Sequence, residues 1–226
     1  MPKRSVYDVD ATFSPLQILQ FAKSCYDEPY ISQDDRLEHA AAPLLQYLGG
    51  FRYGELLEIY ASQFIRRKSL EKRDFVVVES ALIEKSGGRR RNVAIEAKDP
   101  LFVPVVAHLR SLLPQEKVVT MAQSTAWSYF DRVSSGAVWP HLLKAMRDRF
   151  LAVAFDKLER KKIIGWSTSA KKSKGGKWYG DSEDVYAGLN WMWYADRLAR
   201  LNESYWSNEE VPADVRLWLD QLSARP

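Results

Sequence analysis

Apolar residues recur at helical spacing through most of the chain. The run Ser14-Pro15-Leu16-Gln17 combines a capping serine, a proline at the first helical position and a glutamine three residues after the cap. Ile18, Phe21 and Cys25 then follow on one face. This pattern predicts a helix over residues 15–26.

The same reasoning predicts helices along most of the remaining chain. A second helix starts near Asp35 and runs to Leu48, with a kink or a restart expected at Pro43. The sequence of Lys117–Ala122 is typical of a brief buried strand. Residues 163–181 are rich in Gly, Ser and Lys, which is typical of a long exposed loop. The other predicted helices cover residues 53–70, 104–113, 123–133, 139–160, 183–202 and 212–222.

Two apolar strands flank Gly87-Gly88 and predict a β-hairpin near residues 75–98. A two-residue glycine turn would pair each residue i with residue 175 − i. Val78 would then face Ala97 on an apolar side, and Glu79 would face Glu96 on a polar side. The chain is therefore expected to be α+β or α/β, a mostly helical single domain around a small sheet. A helical N-terminal part with the hairpin, residues 1–122, would precede a helical C-terminal part, residues 123–226.

Charge is segregated along the chain, although the total is only +4. Residues 62–98 carry a net charge of +5 and residues 144–178 carry +8, whereas the two ends are acidic. Two basic segments that fold onto one face would form a surface for a polyanion, while the alternative is that both are simply solvated. The expected function is nucleic-acid binding, DNA or RNA, within a larger nucleoprotein complex.

The candidate phosphate contacts are cations of these two segments, together with one tryptophan of the loop. Lysines neutralise phosphates, and flat aromatic rings stack on unpaired bases. The loop lacks the spacing of a nucleotide-binding Gly-x-x-x-x-Gly-Lys-Ser/Thr motif, because Trp178 follows its Gly-Gly-Lys. The candidates are Arg66, Arg67, Lys68, Arg89, Arg90, Arg91, Lys161, Lys162, Lys171, Lys172, Lys174, Lys177 and Trp178.

The carboxylates of the hairpin raise an alternative function. Two facing glutamates repel each other unless a cation compensates them, and Mg²⁺ prefers carboxylate ligands. Glu96-Ala97-Lys98, after Glu79 on the first strand, resembles the acidic-x-lysine signature of PD-(D/E)xK nucleases over roughly residues 53–122, without their Pro-Asp pair. The resemblance implies a divalent-metal nuclease with Glu79 and Glu96 as Mg²⁺ ligands and Lys98 near the attacking water. The simpler interpretation is that the hairpin is a half-solvated ribbon that binds no metal or other cofactor.

Composition limits the remaining classes. A single cysteine, no signal-like N-terminus and no run of 18 apolar residues indicate a protein of the reducing cytoplasm, with no membrane partner. Eight tryptophans, several on the helix predicted near residue 191, are typical of a core or of a subunit interface. A third alternative is therefore a structural assembly protein that does not contact nucleic acid.

Overall fold

The computed structural model describes residues 13–33, 35–82, 90–164, 171–172, 178–179 and 191–225. Helices make up most of these residues and surround a three-stranded antiparallel sheet. The predicted α+β class, a mostly helical single domain with a β-hairpin, is confirmed. The proposed division near residue 122 stays a prediction.

The first two helices begin and end where local chemistry places them. Helix α1, Pro15–Asp27, starts with a capping box in which Ser14 Oγ accepts a hydrogen bond from Gln17 N at 3.3 Å. Helix α2, Arg36–Gly49, runs through Pro43 as one element, without the expected restart. It ends at Gly50, whose φ of 60° favours glycine. A side chain at Gly50 would also collide with Ile164, since a Cβ there would lie 2.7 Å from the Ile164 Cβ.

The predicted helix over residues 53–70 is wrong. The segment instead contains a short helix α3, Tyr53–Leu56, a single 3-10 turn and strand β1, Phe64–Lys68. Strand β1 pairs antiparallel with β2, Asp74–Leu82, so that Phe64 faces Val78. Its backbone hydrogen bonds go to this neighbour, and pairing with a neighbouring strand overrides local propensity.

The hairpin is present, but its predicted register is wrong by four residues. Strand β3, Arg90–Glu96, pairs with β2 so that Phe75 faces Glu96 and Val78 faces Val93. An irregularity between Val78 and Ala81 shifts the register by one residue, as a β-bulge does. The predicted two-residue turn at Gly87-Gly88 lies outside the described residues, which resume at Arg90.

Both faces of the central strand are buried. Val76, Val78 and Ile95 join the main core formed with the N-terminal helices. Phe75 and Val77 lie on the opposite face, in a second core that includes residues of the helix after residue 191. The expected polar, half-solvated face is thus covered along this part of the ribbon.

The remaining helices pack around the sheet. The predicted strand over residues 117–122 is only an isolated bridge between Tyr60 and Lys117, and the helix predicted over residues 139–160 is divided in two. Of the helix expected at 183–202, the described part begins at Met192 and continues to Trp206, past the predicted end. Residues 183–190 and most of the 163–181 segment lie outside the described residues. The elements are α4 (Val103–Arg110), α5 (Gln123–Val133), α6 (Pro140–Leu151), α7 (Lys157–Ile163), α8 (Met192–Trp206), α9 (Ala213–Ser223), and the paired strands β4 (Lys171–Lys172) and β5 (Trp178–Tyr179).

None of the helices in the described part of the chain is long and apolar enough to cross a membrane.

Candidate anion-binding site

The cations of β1 are at the surface, as expected. Arg66, Arg67 and Lys68 are all exposed on the edge strand of the sheet. Arg67 Nη2 lies 2.7 Å from Glu79 Oε1, and Lys68 Nζ lies 2.8 Å from Asp74 Oδ1. Two of these three candidate phosphate contacts are therefore already held by carboxylates of β2.

Arg91 does not lie at an exposed tip. Its side chain is buried and donates hydrogen bonds to the backbone carbonyl oxygens of Ile163 and Gly49, the second at 2.8 Å. The guanidinium also stacks over the Phe51 ring, 5.1 Å from the ring centroid. Arg91 thus ties β3 to the end of α2 and to the end of α7, and it is buried although it was predicted as a phosphate contact.

The structure describes the other sequence candidates only in part. Lys161 is half-buried on α7. Arg89, Lys174 and Lys177 lie outside the described residues. For a further group the structure gives the backbone position alone, on β3, α7 or the β4–β5 pair: Arg90, Lys162, Lys171, Lys172 and Trp178.

The carboxylates of the nuclease alternative are not brought together. Glu96 is buried opposite Phe75, whereas Glu79 lies four residues further along β2, about 13 Å away at the usual strand rise. Lys98 is exposed beyond the end of β3. The predicted facing pair of Glu79 and Glu96 is therefore wrong. Among the described residues, no three His, Cys, Asp or Glu side chains are grouped as metal ligands would be.

Glu96 instead belongs to a buried polar network between β3 and α8. The side-chain amide of Asn202 donates to Glu96 Oε2 and to Asp99 Oδ2, each at 3.0 Å. Asp99 also accepts hydrogen bonds from Leu101 N and from the Trp206 indole. Burial raises the pKa of both carboxyl groups, and the Asn202 hydrogen bond partly opposes that rise in the pKa of Glu96. The network is structural in character.

A basic residue that is not among the predicted phosphate contacts, Lys144, is buried without a hydrogen-bond partner among the described residues. Lys144 lies on α6, which packs against α2, and is only 5% exposed. Its Nζ atom has no hydrogen-bond partner among the described residues. Burial lowers the pKa of Lys144 well below its ordinary value, and the neighbouring charges of Arg91 and Arg52 lower it further.

Arg52 provides a second cation beside Lys144. It follows the Gly49-Gly50 turn and precedes α3, where its backbone N donates to Glu55 Oε2 at 2.8 Å. Its Nη1 atom lies 3.6 Å from Glu55 Oε1, beyond hydrogen-bond length. Arg91 holds the preceding turn through the Gly49 carbonyl, so the backbone that carries Arg52 is fixed.

These side chains form a candidate anion-binding site, defined as Arg52 and Lys144 with Arg91 behind them. Besides burial, Arg91 and Arg52 lower the pKa of Lys144, the buried carboxylate of Glu55 raises it, and the Lys144 Nζ atom has no hydrogen-bond partner among the described residues. A bound anion would compensate both the excess charge and the missing acceptor. A phosphate oxygen has the charge and acceptor geometry for such a site.

Sequence reasoning missed Arg52 and Lys144, although a signal was present. On α6 the buried positions Leu143, Arg147 and Leu151 follow at helical spacing, and Lys144 lies on the same side. Cations at core positions of a helix are rare unless they are paired or bind something. Lys144 and Arg147, two cations on a buried helix face, were therefore a stronger sign of a binding site than the basic runs of the sequence.

A separate cavity of about 450 Å³ opens between the start of α1, α6 and α8. Its walls are largely apolar, with Phe13, Pro15, Met146 and Phe150 among them. Neither Arg52 nor Lys144 lines it.

The comparisons with known proteins do not show a family for this chain. No family model matches the chain. No curated protein matches it either. The solved structures that resemble it include the XerH site-specific recombinase bound to its difH substrate, in a pre-cleavage complex, with 14% identity and a TM-score of 0.49 over 84% of this chain and 52% of that chain.

A second similar structure is the Tn1549 transposon integrase in complex with circular intermediate DNA. Identity is 12% and the TM-score is 0.44, over 85% of this chain and 66% of the integrase chain. This chain thus spans about half of the first protein and about two thirds of the second. TM-scores below 0.5 are too low to assign this chain the activity of either protein.

Proposed function

We propose that this chain binds nucleic acid through its phosphate groups, and that Arg52 and Lys144 make the central phosphate contact. The observation that carries the proposal is the buried Lys144 ammonium, which has no hydrogen-bond partner among the described residues. Burial favours the neutral amine, and a phosphate beside it would restore the charged form, so a perturbed amine of this kind is a candidate binding group.

The exposed cations supply the outer contacts. Arg66, Arg67 and Lys68 on β1 and the exposed Lys157 on α7 are the described cations that we assign to this role. The lysines farther along the second basic segment remain sequence candidates for it. Phosphate contacts of this kind position a protein on nucleic acid without reading its sequence. Binding is therefore expected to tolerate many sequences and to weaken steeply with salt.

The larger nucleoprotein assembly expected from the sequence is part of the proposal. Trp193 on α8 is 54% exposed and Leu217 on α9 is 60% exposed, although both are large apolar side chains. Exposed groups of this type are enriched at protein contacts. Several copies, or other subunits, would then share one nucleic acid.

A titration of fluorescent oligonucleotides tests the proposal. We expect the protein to raise the anisotropy of single- and double-stranded probes at low salt, with an endpoint that gives the number of chains per probe. Lys144→Met should weaken binding about tenfold or more, since a buried charged contact is lost. The matched control is Lys23→Met on α1, where the lysine is ion-paired with Asp27 and the affinity should hardly change.

Stability separates this role from a structural one. Lys144→Met should keep or raise the free energy of unfolding, because an apolar side chain replaces a buried amine that has no hydrogen-bond partner among the described residues. Weaker binding without loss of stability supports the proposal. Unchanged binding in Lys144→Met, or no binding by the wild-type protein at low salt, would contradict it.

A further inference from the structure

Two cations of β1 are paired with carboxylates on the neighbouring strand. The Arg67–Glu79 pair, at 2.7 Å, and the Lys68–Asp74 pair, at 2.8 Å, both lie at the exposed edge of the sheet. Glu79 is held in place because its backbone oxygen accepts a hydrogen bond from the Gln63 side chain at 2.8 Å. The carboxylates are therefore built into the basic edge and are not distant surface charges.

The third cation of this strand differs. Arg66 is exposed like its neighbours, but no carboxylate lies within ion-pair distance of it in the described part of the chain. The basic edge thus presents one cation that is open to a ligand and two that are already engaged.

We propose that Glu79 and Asp74 limit the affinity of this edge for a phosphate backbone. A phosphate that binds Arg67 or Lys68 has to displace a carboxylate first. This inference rests on the proposed function, nucleic-acid binding, and adds to it the residues that restrain it.

The competition is chemically direct. A guanidinium binds a carboxylate or a phosphate with the same two-pronged geometry, so the two anions compete for the same donors of Arg67. Arg67 and Glu79 are 47% and 39% exposed, and exposed ion pairs are weak. Nucleic acid, with many phosphates in a row, can displace them, whereas a short or sparsely charged anion binds poorly. The carboxylates would therefore favour long polyanions over small phosphate compounds.

The experiment compares charge-neutral variants in the oligonucleotide titration. Glu79→Gln and Asp74→Asn should each tighten binding about twofold to fivefold, the range expected when an exposed ion pair is released. For duplex DNA, each freed cation should steepen the slope of log affinity against log salt by about 0.9. The matched control is Asp27→Asn on α1, which removes the same charge from the Lys23–Asp27 pair at 2.5 Å. It should leave affinity and slope nearly unchanged.

A double-mutant comparison tests whether Glu79 acts through Arg67. In an Arg67→Met background, the gain from Glu79→Gln should disappear. A gain that persists there, or one that Asp27→Asn matches, shows a general effect of net charge and overturns the inference while the proposed function stands. Unchanged affinity in both Glu79→Gln and Asp74→Asn, with wild-type binding intact, also overturns the inference alone. No binding by any variant at low salt overturns both.

Discussion

At the scale of single residues, the buried Lys144 ammonium should make nucleic-acid binding depend on pH. Burial lowers the pKa of Lys144 in the free protein, and a phosphate placed beside the amine would raise it again. Between these two pKa values the free protein has a neutral amine and the complex a charged one, so binding takes up a proton. Affinity should therefore fall as the pH rises through this window.

Calorimetry in two buffers with different ionisation enthalpies measures the number of protons taken up when nucleic acid binds. The wild-type protein should show a binding heat that changes with the buffer, and Lys144→Met should show a smaller change. Equal buffer dependence in the two proteins would mean that the proton goes elsewhere.

Arg91 and Lys144 also show which side-chain environments could be predicted from the sequence and which could not. The sequence placed Arg91 with two other arginines in a basic run, and its burial under the Gly49 and Ile163 carbonyls could not be inferred from that run. Those acceptors come from segments about 40 and 70 residues away in sequence, so the pattern near Arg91 does not contain them. Lys144, by contrast, could have been identified from the sequence, because it is a cation on the apolar face of a helix.

At the scale of elements, the Glu96–Asn202–Asp99 network holds α8 against the end of β3. Asn202→Ala should lower the free energy of unfolding at neutral pH by about 1–3 kcal/mol, because two buried carboxylates lose their shared donor. Asn208→Ala is the matched control just beyond the end of the same helix, since the exposed Asn208 side chain donates only to the Ser204 carbonyl among the described contacts. Its effect should be within about 0.5 kcal/mol.

The sign of the pH dependence follows from the raised pKa values. Because burial raises the pKa of Glu96 and of Asp99, their contribution to stability is fully present below the ordinary carboxyl pKa, about 4, and is lost as the pH rises through the raised values. The cost of Asn202→Ala should accordingly grow from pH 4 to pH 7 in urea titrations. A cost that is independent of pH would show that the Asn202 hydrogen bond does not favour the charged form of Glu96.

The helices and strands were predictable where their signals are local. Helix α1 was found within one residue because the capping box and the proline are contained in Ser14–Gln17. Strand β1 was missed because Phe64–Lys68 is stabilised by pairing with β2, which no local period records. Hairpin formation was predicted correctly, but its register differs from the prediction, and the irregularity between Val78 and Ala81 that changes it by one residue has no signal in the sequence pattern.

At the scale of the whole molecule, the sheet is covered on a second face by a helix from the far end of the chain. Tyr194 on α8 accepts a hydrogen bond from Ala94 N at 3.1 Å, across 100 residues of sequence. A hairpin taken alone has one apolar and one polar side, so the Glu96 side chain was expected to be exposed to solvent. The distant helix buries it and removes it from the candidate metal site.

The last prediction concerns whether the cations of the chain form one positive surface. Lysine acetylation before and after addition of a saturating oligonucleotide should show reduced reactivity in both basic segments, at Lys68 and at the lysines of residues 161–177, because bound phosphates cover their amines. Lys23, on α1 and paired with Asp27, should react equally in both states. Protection of Lys68 alone would limit the contact surface to β1, and uniform protection that includes Lys23 would indicate aggregation on the probe. Protection of both segments requires that one bound polyanion reaches them together.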